Sequence, residues 1–372
     1  MSSKKIVVIG TDPGMLLNFR EDLLKSLVCA GLLVKTLSNP LNKNQKIRLK
    51  SIGVSASSIS ISISRNSLNI VHDIQTFIKI FFAYKKIKPD IVLSYTIKPV
   101  IWGGIASRFT KVDFYALITG LGFTFHGDSL KRRVLTSLVI FLYKISLKKS
   151  KAVIFQNKDN RDVFVSKGIV SFSKTYVVNG SGVDITKFNV ERFPKNTIRF
   201  LCISRLLGEK GLREYAEAAR IVKDKFPNVE FDLVGSEDSS PDAIALNEVG
   251  NWSGYINYRG SSSDVRKYIK ECHVYVLPSY HEGLPRSTLE AMSMGRPVLT
   301  TNAVGCKETV KNSVNGFMVP VKSVEKLVEI MIWFVEHSDQ IKKMGLESRK
   351  MAEDRFDVRK VNKEMLKIMD IR

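Results

Sequence analysis

The feature that most constrains this chain is an alternation that runs from one end to the other. Short apolar runs are each followed by a stretch in which apolar residues recur every three or four positions. Strands and amphipathic helices taken in turn are the mark of βαβ units, and so of a mostly parallel sheet covered by helices. In the first half the runs fall at 5–9, 32–37, 59–63, 91–95, 114–118, 152–155 and 175–178. In the second they fall at 199–203, 230–234, 256–258, 274–277 and 297–300. The helix expected over 71–86 is the clearest: Ile74, Phe77, Ile78, Phe81 and Phe82 form one apolar stripe, and Pro89 stops the pattern. A polar stretch at 189–196, containing Pro194, reads as the linker between two such units. A chain of 372 residues has room for both.

Charge separates the two halves. Lys and Arg number 58 against 36 Asp and Glu, a net charge of +22, and residues 1–190 hold 29 basic and 10 acidic side chains where 191–372 hold 29 and 26. So basic a first half points toward phosphates, an anionic membrane surface or nucleic acid. Cys29, Cys202, Cys272 and Cys306 lie far apart without a C-x-x-C pair, so neither zinc nor a disulfide framework is expected, and a reducing cytoplasm suits them. The N-terminus enters a strand-like run without a signal-peptide core. The longest apolar segment, 134–147, is interrupted by Lys144 and falls short of the roughly 20 residues a bilayer requires. A protein that is soluble or peripheral at a membrane is expected.

Three segments could carry chemistry. The first strand ends in a turn, Gly10-Thr11-Asp12-Pro13-Gly14, where a backbone stripped of side chains could approach a phosphate at a helix N-terminus. The full G-x-G-x-x-G is missing, and an ordinary Pro-Gly turn is the alternative. The first strand of the second half runs into Ser204-Arg205-Leu206-Leu207-Gly208-Glu209-Lys210-Gly211. Arg205 and Lys210 thus stand at the carboxyl end of a strand, where open α/β sheets bind ligands, and two cations there could clamp a diphosphate. A solvated loop is the alternative.

The third segment, 277–297, reads LPSYHEGLPRSTLEAMSMGRP. A strand ends, a loop holds Glu282 and Gly283, and a helix begins near Pro285, so that its free first-turn amides make an anion site. Glu290 follows Glu282 by eight residues and does not share its helix face, which excludes a paired-carboxylate hydrolase site. Two acceptors at either end of one elongated ligand remain. The alternative for Glu290 is a capping box with Ser287.

The segment resembles the E-x7-E stretch of retaining glycosyltransferases of family 4, together with the upstream S-R-x-x-x-x-K-G and the downstream Gly295-Arg296-Pro297. The resemblance implies an α/β fold of GT-B type, two Rossmann-like doubly wound domains facing across a cleft. The expected domains are 1–190 for acceptor and membrane, 191–356 for the nucleotide-sugar, and a helix at 357–372 crossing back to the first. It implies that Arg205 and Lys210 neutralise the donor diphosphate, that Glu290 holds the ribose, and that Glu282 addresses sugar and phosphates with the amides of Gly283 and Leu284 beside Pro285. Gly14 is a further donor-binding candidate. No D-x-D is present to hold a divalent ion, so a metal-independent reaction is expected, with fixed cations stabilising the leaving diphosphate.

Residues 118–125 (ITGLGFTF) are similar to a T-G-L-G stretch of bacterial enzymes that add sugars, N-acetylgalactosamine among them, to polyprenyl-diphosphate-linked glycans. Thr119, Gly120 and His126 are therefore candidate sugar or acceptor contacts. Residues 134–151, preceded by Lys131, Arg132 and Arg133, have a large apolar face framed by cations that suits an anionic membrane interface on the inner face of the plasma membrane, with a buried core helix and a basic exit loop as the alternative. A UDP-sugar donor and a lipid-linked glycan acceptor of O-antigen or capsule assembly are expected. Two rivals stand beside this reading: an epimerase or hydrolase of UDP-sugars with the same fold, and a basic nucleic-acid-binding protein, suggested by charge alone.

Overall fold

The computed structural model describes residues 3–60, 63, 70–121, 130–195 and 197–371, and the chain divides into two compact units, 1–181 with 361–372, and 182–360.

The first unit is a seven-stranded parallel sheet built from β1 (Lys5–Ile9), β2 (Leu33–Ser38), β3 (Ser55–Ser60), β4 (Ile91–Tyr95), β5 (Asp113–Ile118), β6 (Ala152–Phe155) and β7 (Thr175–Val177). Its order is β3-β2-β1-β4-β5-β6-β7, so the chain leaves the centre first one way and then the other. Because side chains alternate along a strand, Val7 and Ile9 enter one core and Ile6 and Val8 another. Over the first core lie α3 (Ile70–Ile87), α4 (Ile97–Thr110), α5 (Leu130–Leu147) and α6 (Lys158–Ser166), contributing Ile80, Tyr84, Val100, Val139, Tyr143 and Phe164. Over the second lies α1 (Pro13–Cys29), and α2 (Lys43–Ser51) adds Leu49. Met365 and Met369 close this second core, and the Tyr115 hydroxyl donates to the Met369 carbonyl at 3.3 Å.

Only part of the stripe read in α3 faces the first core. Phe77 and Phe81 are half-buried against it, whereas Ile74, Ile78 and Phe82 are exposed, and Thr76, Ile80, Ala83, Tyr84 and Ile87 are buried. The helix is apolar beyond the face it buries, and the periodicity picked out the edge of the buried face together with the outer one.

The second unit repeats the plan with six parallel strands in the order β10-β9-β8-β11-β12-β13: β8 (Arg199–Ile203), β9 (Glu230–Val234), β10 (Asn257–Tyr258), β11 (Val274–Leu277), β12 (Val298–Thr301) and β13 (Gly316–Val319). Helices α7 (Leu212–Lys225), α8 (Leu246–Gly250), α9 (Arg266–Glu271), α10 (Arg286–Ser293) and α11 (Val324–Glu336) pack on it through Tyr215, Ala219, Val249, Ile269, Leu289, Met331 and Phe334.

The stretch around Pro194 read as a linker belongs wholly to this unit. Arg296, fully buried, donates to the carbonyls of Glu191 (2.8 Å), Arg192 (3.2 Å), Ile269 (2.9 Å) and Lys270 (3.1 Å), and its guanidinium lies over Phe193. His273 accepts from the Arg199 amide through Nδ1 and faces the Pro194 carbonyl through Nε2. Polar composition at 189–196 reflects backbone groups held by buried side chains. The division falls instead between 181 and 182. Among the described residues no helix is long and apolar enough to cross a membrane.

Candidate active site

In the second unit β8 sits beside both β9 and β11, and the crossovers reverse direction there, so the carboxyl ends of β8 and β11 open the crevice in which sheets of this kind bind ligands. Arg205 and Lys210 follow β8, and Glu282 to Glu290 follow β11. Their proximity comes from the strand order, across a sequence distance no local pattern bridges.

The two loops are seated on each other. Gly211 begins α7 with φ +69°, and a Cβ there would stand 2.1 Å from the Pro278 carbonyl oxygen, so only glycine allows the approach. The Tyr280 amide donates to the Glu209 carbonyl at 2.9 Å. This seating carries Lys210 Nζ to 2.7 Å from Glu282 Oε1, and Ser279 Oγ donates to the same oxygen at 2.9 Å. Burial by itself would depress the Lys210 ammonium, but the attraction of Glu282 outweighs it and raises the pKa above the usual lysine value. Lys210 is a fixed cation throughout the working pH range. Glu282 is also held from behind, its amide donating to the Val304 carbonyl at 2.9 Å.

Arg205 forms an ion pair with Asp238, in the loop after β9. Asp242 in that loop accepts the Glu209 amide at 2.6 Å through its carboxylate and the Gly208 amide at 2.9 Å through its carbonyl. Asp238, Asp242 and Ser279 went unnoticed in the sequence, because acidic and hydroxyl residues in loops have no spacing that tells which neighbour they meet.

Glu290 lies in the first turns of α10. The capping box open in the sequence does not form: Pro285 is the N-cap and offers no side-chain bond. Ser287 Oγ donates instead to the Ile203 carbonyl at 3.1 Å and accepts from the Tyr275 hydroxyl at 2.6 Å. Glu290 Oε1 accepts from Arg286 Nε at 3.0 Å. Burial pushes its carboxyl above the ordinary glutamate value while Arg286 pulls the other way. A desolvated carboxylate with one cation beside it is a strong acceptor for hydroxyl groups. With no side chain capping α10, its first amides and those of Gly283 and Leu284 belong to the same edge.

Among the described residues, the candidates in the first unit form no such constellation. Gly14 is the second residue of α1, whose start is capped by Asp12, its Oδ1 accepting the Met15 amide at 2.7 Å. That carboxylate already takes one of the first-turn amides beside Gly14. Thr119 and Gly120 are half-buried just beyond β5. His126 lies outside the described residues. No group of three or more His, Cys, Asp or Glu able to hold a metal exists among the described residues.

Comparison with known proteins agrees with this geometry. Residues 183–351 match the model for glycosyl transferases group 1, and 19–157 match that for glycosyl transferase 4-like domains. The N,N'-diacetylbacillosaminyl-diphospho-undecaprenol alpha-1,3-N-acetylgalactosaminyltransferase of Campylobacter jejuni is 29% identical over 87% of this chain and 87% of its own length. The UDP-Gal:alpha-D-GlcNAc-diphosphoundecaprenol alpha-1,3-galactosyltransferase of Escherichia coli is 26% identical over 72% of this chain and 71% of its own. Among solved structures, Anabaena HepE in complex with UDP and glucose superposes with a TM-score of 0.79 over 99% of both chains at 18% identity. A Rickettsia africae glycosyltransferase does so with 0.78 over 100% and 99% at 19%. Matched by the group 1 and 4-like glycosyltransferase models in its two units and built as two parallel-sheet Rossmann-like domains, the chain belongs to the glycosyltransferases with the GT-B fold.

Proposed function

We propose that this enzyme moves a sugar, N-acetylgalactosamine or another N-acetylhexosamine or hexose, from a UDP-sugar to a polyprenyl-diphosphate-linked glycan in the assembly of O-antigen or capsule. The observation that carries this reading is the buried Lys210–Glu282 pair at the strand switch of the second unit, with Arg205 on the same loop as Lys210. Breaking the bond between sugar and diphosphate leaves negative charge on the departing phosphate. Lys210, kept cationic by its partner, and Arg205 stabilise that charge with little reorganisation, the largest single contribution such a site makes. Glu290 receives the ribose hydroxyls. Glu282 and the amides of Gly283 and Leu284 address the sugar and phosphates. The departing phosphate oxygen takes the acceptor proton on the face the leaving group vacates, so no side-chain nucleophile is required and no divalent ion takes part.

The acceptor side belongs to the first unit, with Thr119, Gly120 and His126 as its candidate contacts. The C. jejuni and E. coli relatives are both transferases whose names specify undecaprenyl diphosphate-linked substrates, which supports a lipid-linked acceptor and weighs against an epimerase or hydrolase. Surface chemistry supports the same choice. Ile74, Ile78 and Phe82 on α3, Phe109 on α4, and Val134, Leu138 and Phe141 on α5 are all exposed on helices that cover one face of the sheet. Phe109 joins Phe77 and Phe81 with ring centroids 6.3 and 6.5 Å apart, so the apolar surface is continuous from α3 to α4. Lys79, Lys85, Lys86, Lys111, Lys144 and Lys148 are exposed around it. Such a surface fits the cytoplasmic leaflet: each large side chain brings roughly 1.5 kcal/mol or more on insertion, and each cation near the surface about 1 kcal/mol.

The test is nucleoside diphosphate release from UDP-, GDP- and ADP-sugars in EDTA, with and without a synthetic polyprenyl-diphosphate-linked acetamido-sugar. Release from a UDP-sugar only when the acceptor is present is the expected result. Release or epimerisation without acceptor, or strict dependence on added metal, contradicts the corresponding part of the proposal.

A further inference from the structure

Both cations of the donor loop carry a carboxylate partner, but the two pairs are not alike. The Lys210 side chain is 11% exposed, and its partner Glu282 is held a second time by Ser279. The Arg205 side chain is 36% exposed, while Asp238, from the separate loop after β9, is 11% exposed. Opening a pair in which both members are buried strands desolvated charge, whereas opening this one leaves the guanidinium in reach of water and Asp238 still held by the two Ser240 donors, so it costs less.

Asp238 is built to face Arg205. The Ser240 amide donates to its Oδ1 at 2.8 Å and the Ser240 hydroxyl donates to the same oxygen, leaving Oδ2 for the guanidinium. The loop backbone is fastened alongside 204–209: the Leu206 amide donates to the Ser236 carbonyl at 2.9 Å, and the Ile244 amide to the Leu206 carbonyl at 2.9 Å. Asp238 therefore stays within reach of Arg205 even when the side chains part. Glu237 and Asp242 make the loop acidic as a whole.

We infer that Asp238 is the exchangeable counter-ion of Arg205, yielding the guanidinium to the donor diphosphate and reclaiming it as the nucleoside diphosphate departs. This rests on the reading of Arg205 as a diphosphate ligand. A sugar nucleotide bears about two negative charges on its diphosphate, and the free nucleoside diphosphate about three near neutral pH, since its terminal phosphate ionises with a pKa of about 6. A fixed carboxylate beside the binding cation repels the product more than the donor. Asp238 thus lowers affinity for both ligands and lowers it more for the one that must leave.

Calorimetric titration of UDP into wild type, Asp238→Asn, Asp238→Ala, Arg205→Ala and the Arg205→Ala/Asp238→Asn double variant tests this, with unfolding temperatures taken alongside. Asp238→Asn is expected to tighten UDP binding roughly threefold to tenfold, with a smaller gain for the UDP-sugar, and the gain should vanish without Arg205. UDP affinity unchanged or weakened in both Asp238 variants, at wild-type unfolding temperature, overturns the inference. An equal gain in the Arg205→Ala background overturns it too, by making Asp238 a general source of negative field. Wild-type protein that binds neither UDP nor a UDP-sugar overturns the proposed function together with the inference, whereas wild-type binding without the gain overturns the inference alone.

Discussion

In the second unit the decisive charges sit at the carboxyl ends of β8 and β11, each against an opposite charge: Lys210 on Glu282, Arg205 on Asp238, Arg286 on Glu290. In the first unit, cations stand on the outward side of helices beside exposed Phe82, Phe109 and Phe141. The sheets share one doubly wound plan. What differs is where the sequence spends its polarity. The lesson is that a fold of this kind leaves two surfaces free to specialise, the strand ends for a small anionic ligand and the helix backs for an extended one.

Breaking the second unit's side of the comparison should have the largest effect. Lys210→Ala is expected to lower kcat/KM by about a thousandfold, the loss of a preorganised cation at a departing phosphate, while circular dichroism stays that of the wild type. Near-normal turnover would sever the switch-point crevice from catalysis. Arg296→Met separates scaffold from chemistry. It removes donors to four backbone carbonyls outside its own turn and should cost about 3 kcal/mol in urea unfolding, with kcat of the folded fraction kept. A large loss of kcat without loss of stability would make Arg296 part of the site. Glu290→Gln should raise the KM for the donor roughly tenfold, since a neutral amide replaces a charged acceptor, and leave the KM for the acceptor unchanged.

The smallest effect concerns pH. Burial pushes the His273 imidazole down to about 4 from its usual 6.5. The native state therefore stays neutral where the unfolded chain takes up a proton. Stability is unaffected above about pH 6.5 and falls progressively between there and pH 4. Thermal unfolding of His273→Gln across that window should show a shallower acid slope than the wild type, and parallel slopes would remove His273 from the explanation.

How much of this was legible depends on whether the information is local. Strands β1, β4, β6, β8 and β11 fall where short apolar runs put them, because strands buried on both faces need no alternation, and β9 does so despite Asp232 in its middle. Strand β13 was missed, a short run after Asn315 whose place is fixed by pairing with β12. The α3 stripe was seen but not its direction, since a 3.6 period reports an apolar face and not what covers it. At the site, Arg205, Lys210, Glu282 and Glu290 came from motif spacing. Their mutual pairing did not, because 72 residues separate Lys210 from Glu282 and 33 separate Arg205 from Asp238. Ser287 looked like a helix cap because its offset from Glu290 is right. The Ile203 carbonyl at the end of β8 claims it instead.

The division of labour itself is tested most directly by one comparison of substrates. A variant with Ile78, Phe82 and Phe141 each replaced by Ser would be assayed against the same glycan acceptor presented on a polyprenyl chain in anionic vesicles and on a short water-soluble chain. The expected result is a loss of about a hundredfold or more on vesicles, the insertion energy of three large side chains, with unchanged rate on the soluble acceptor and unchanged UDP affinity. Equal rates on both acceptors, or equal losses on both, would contradict it.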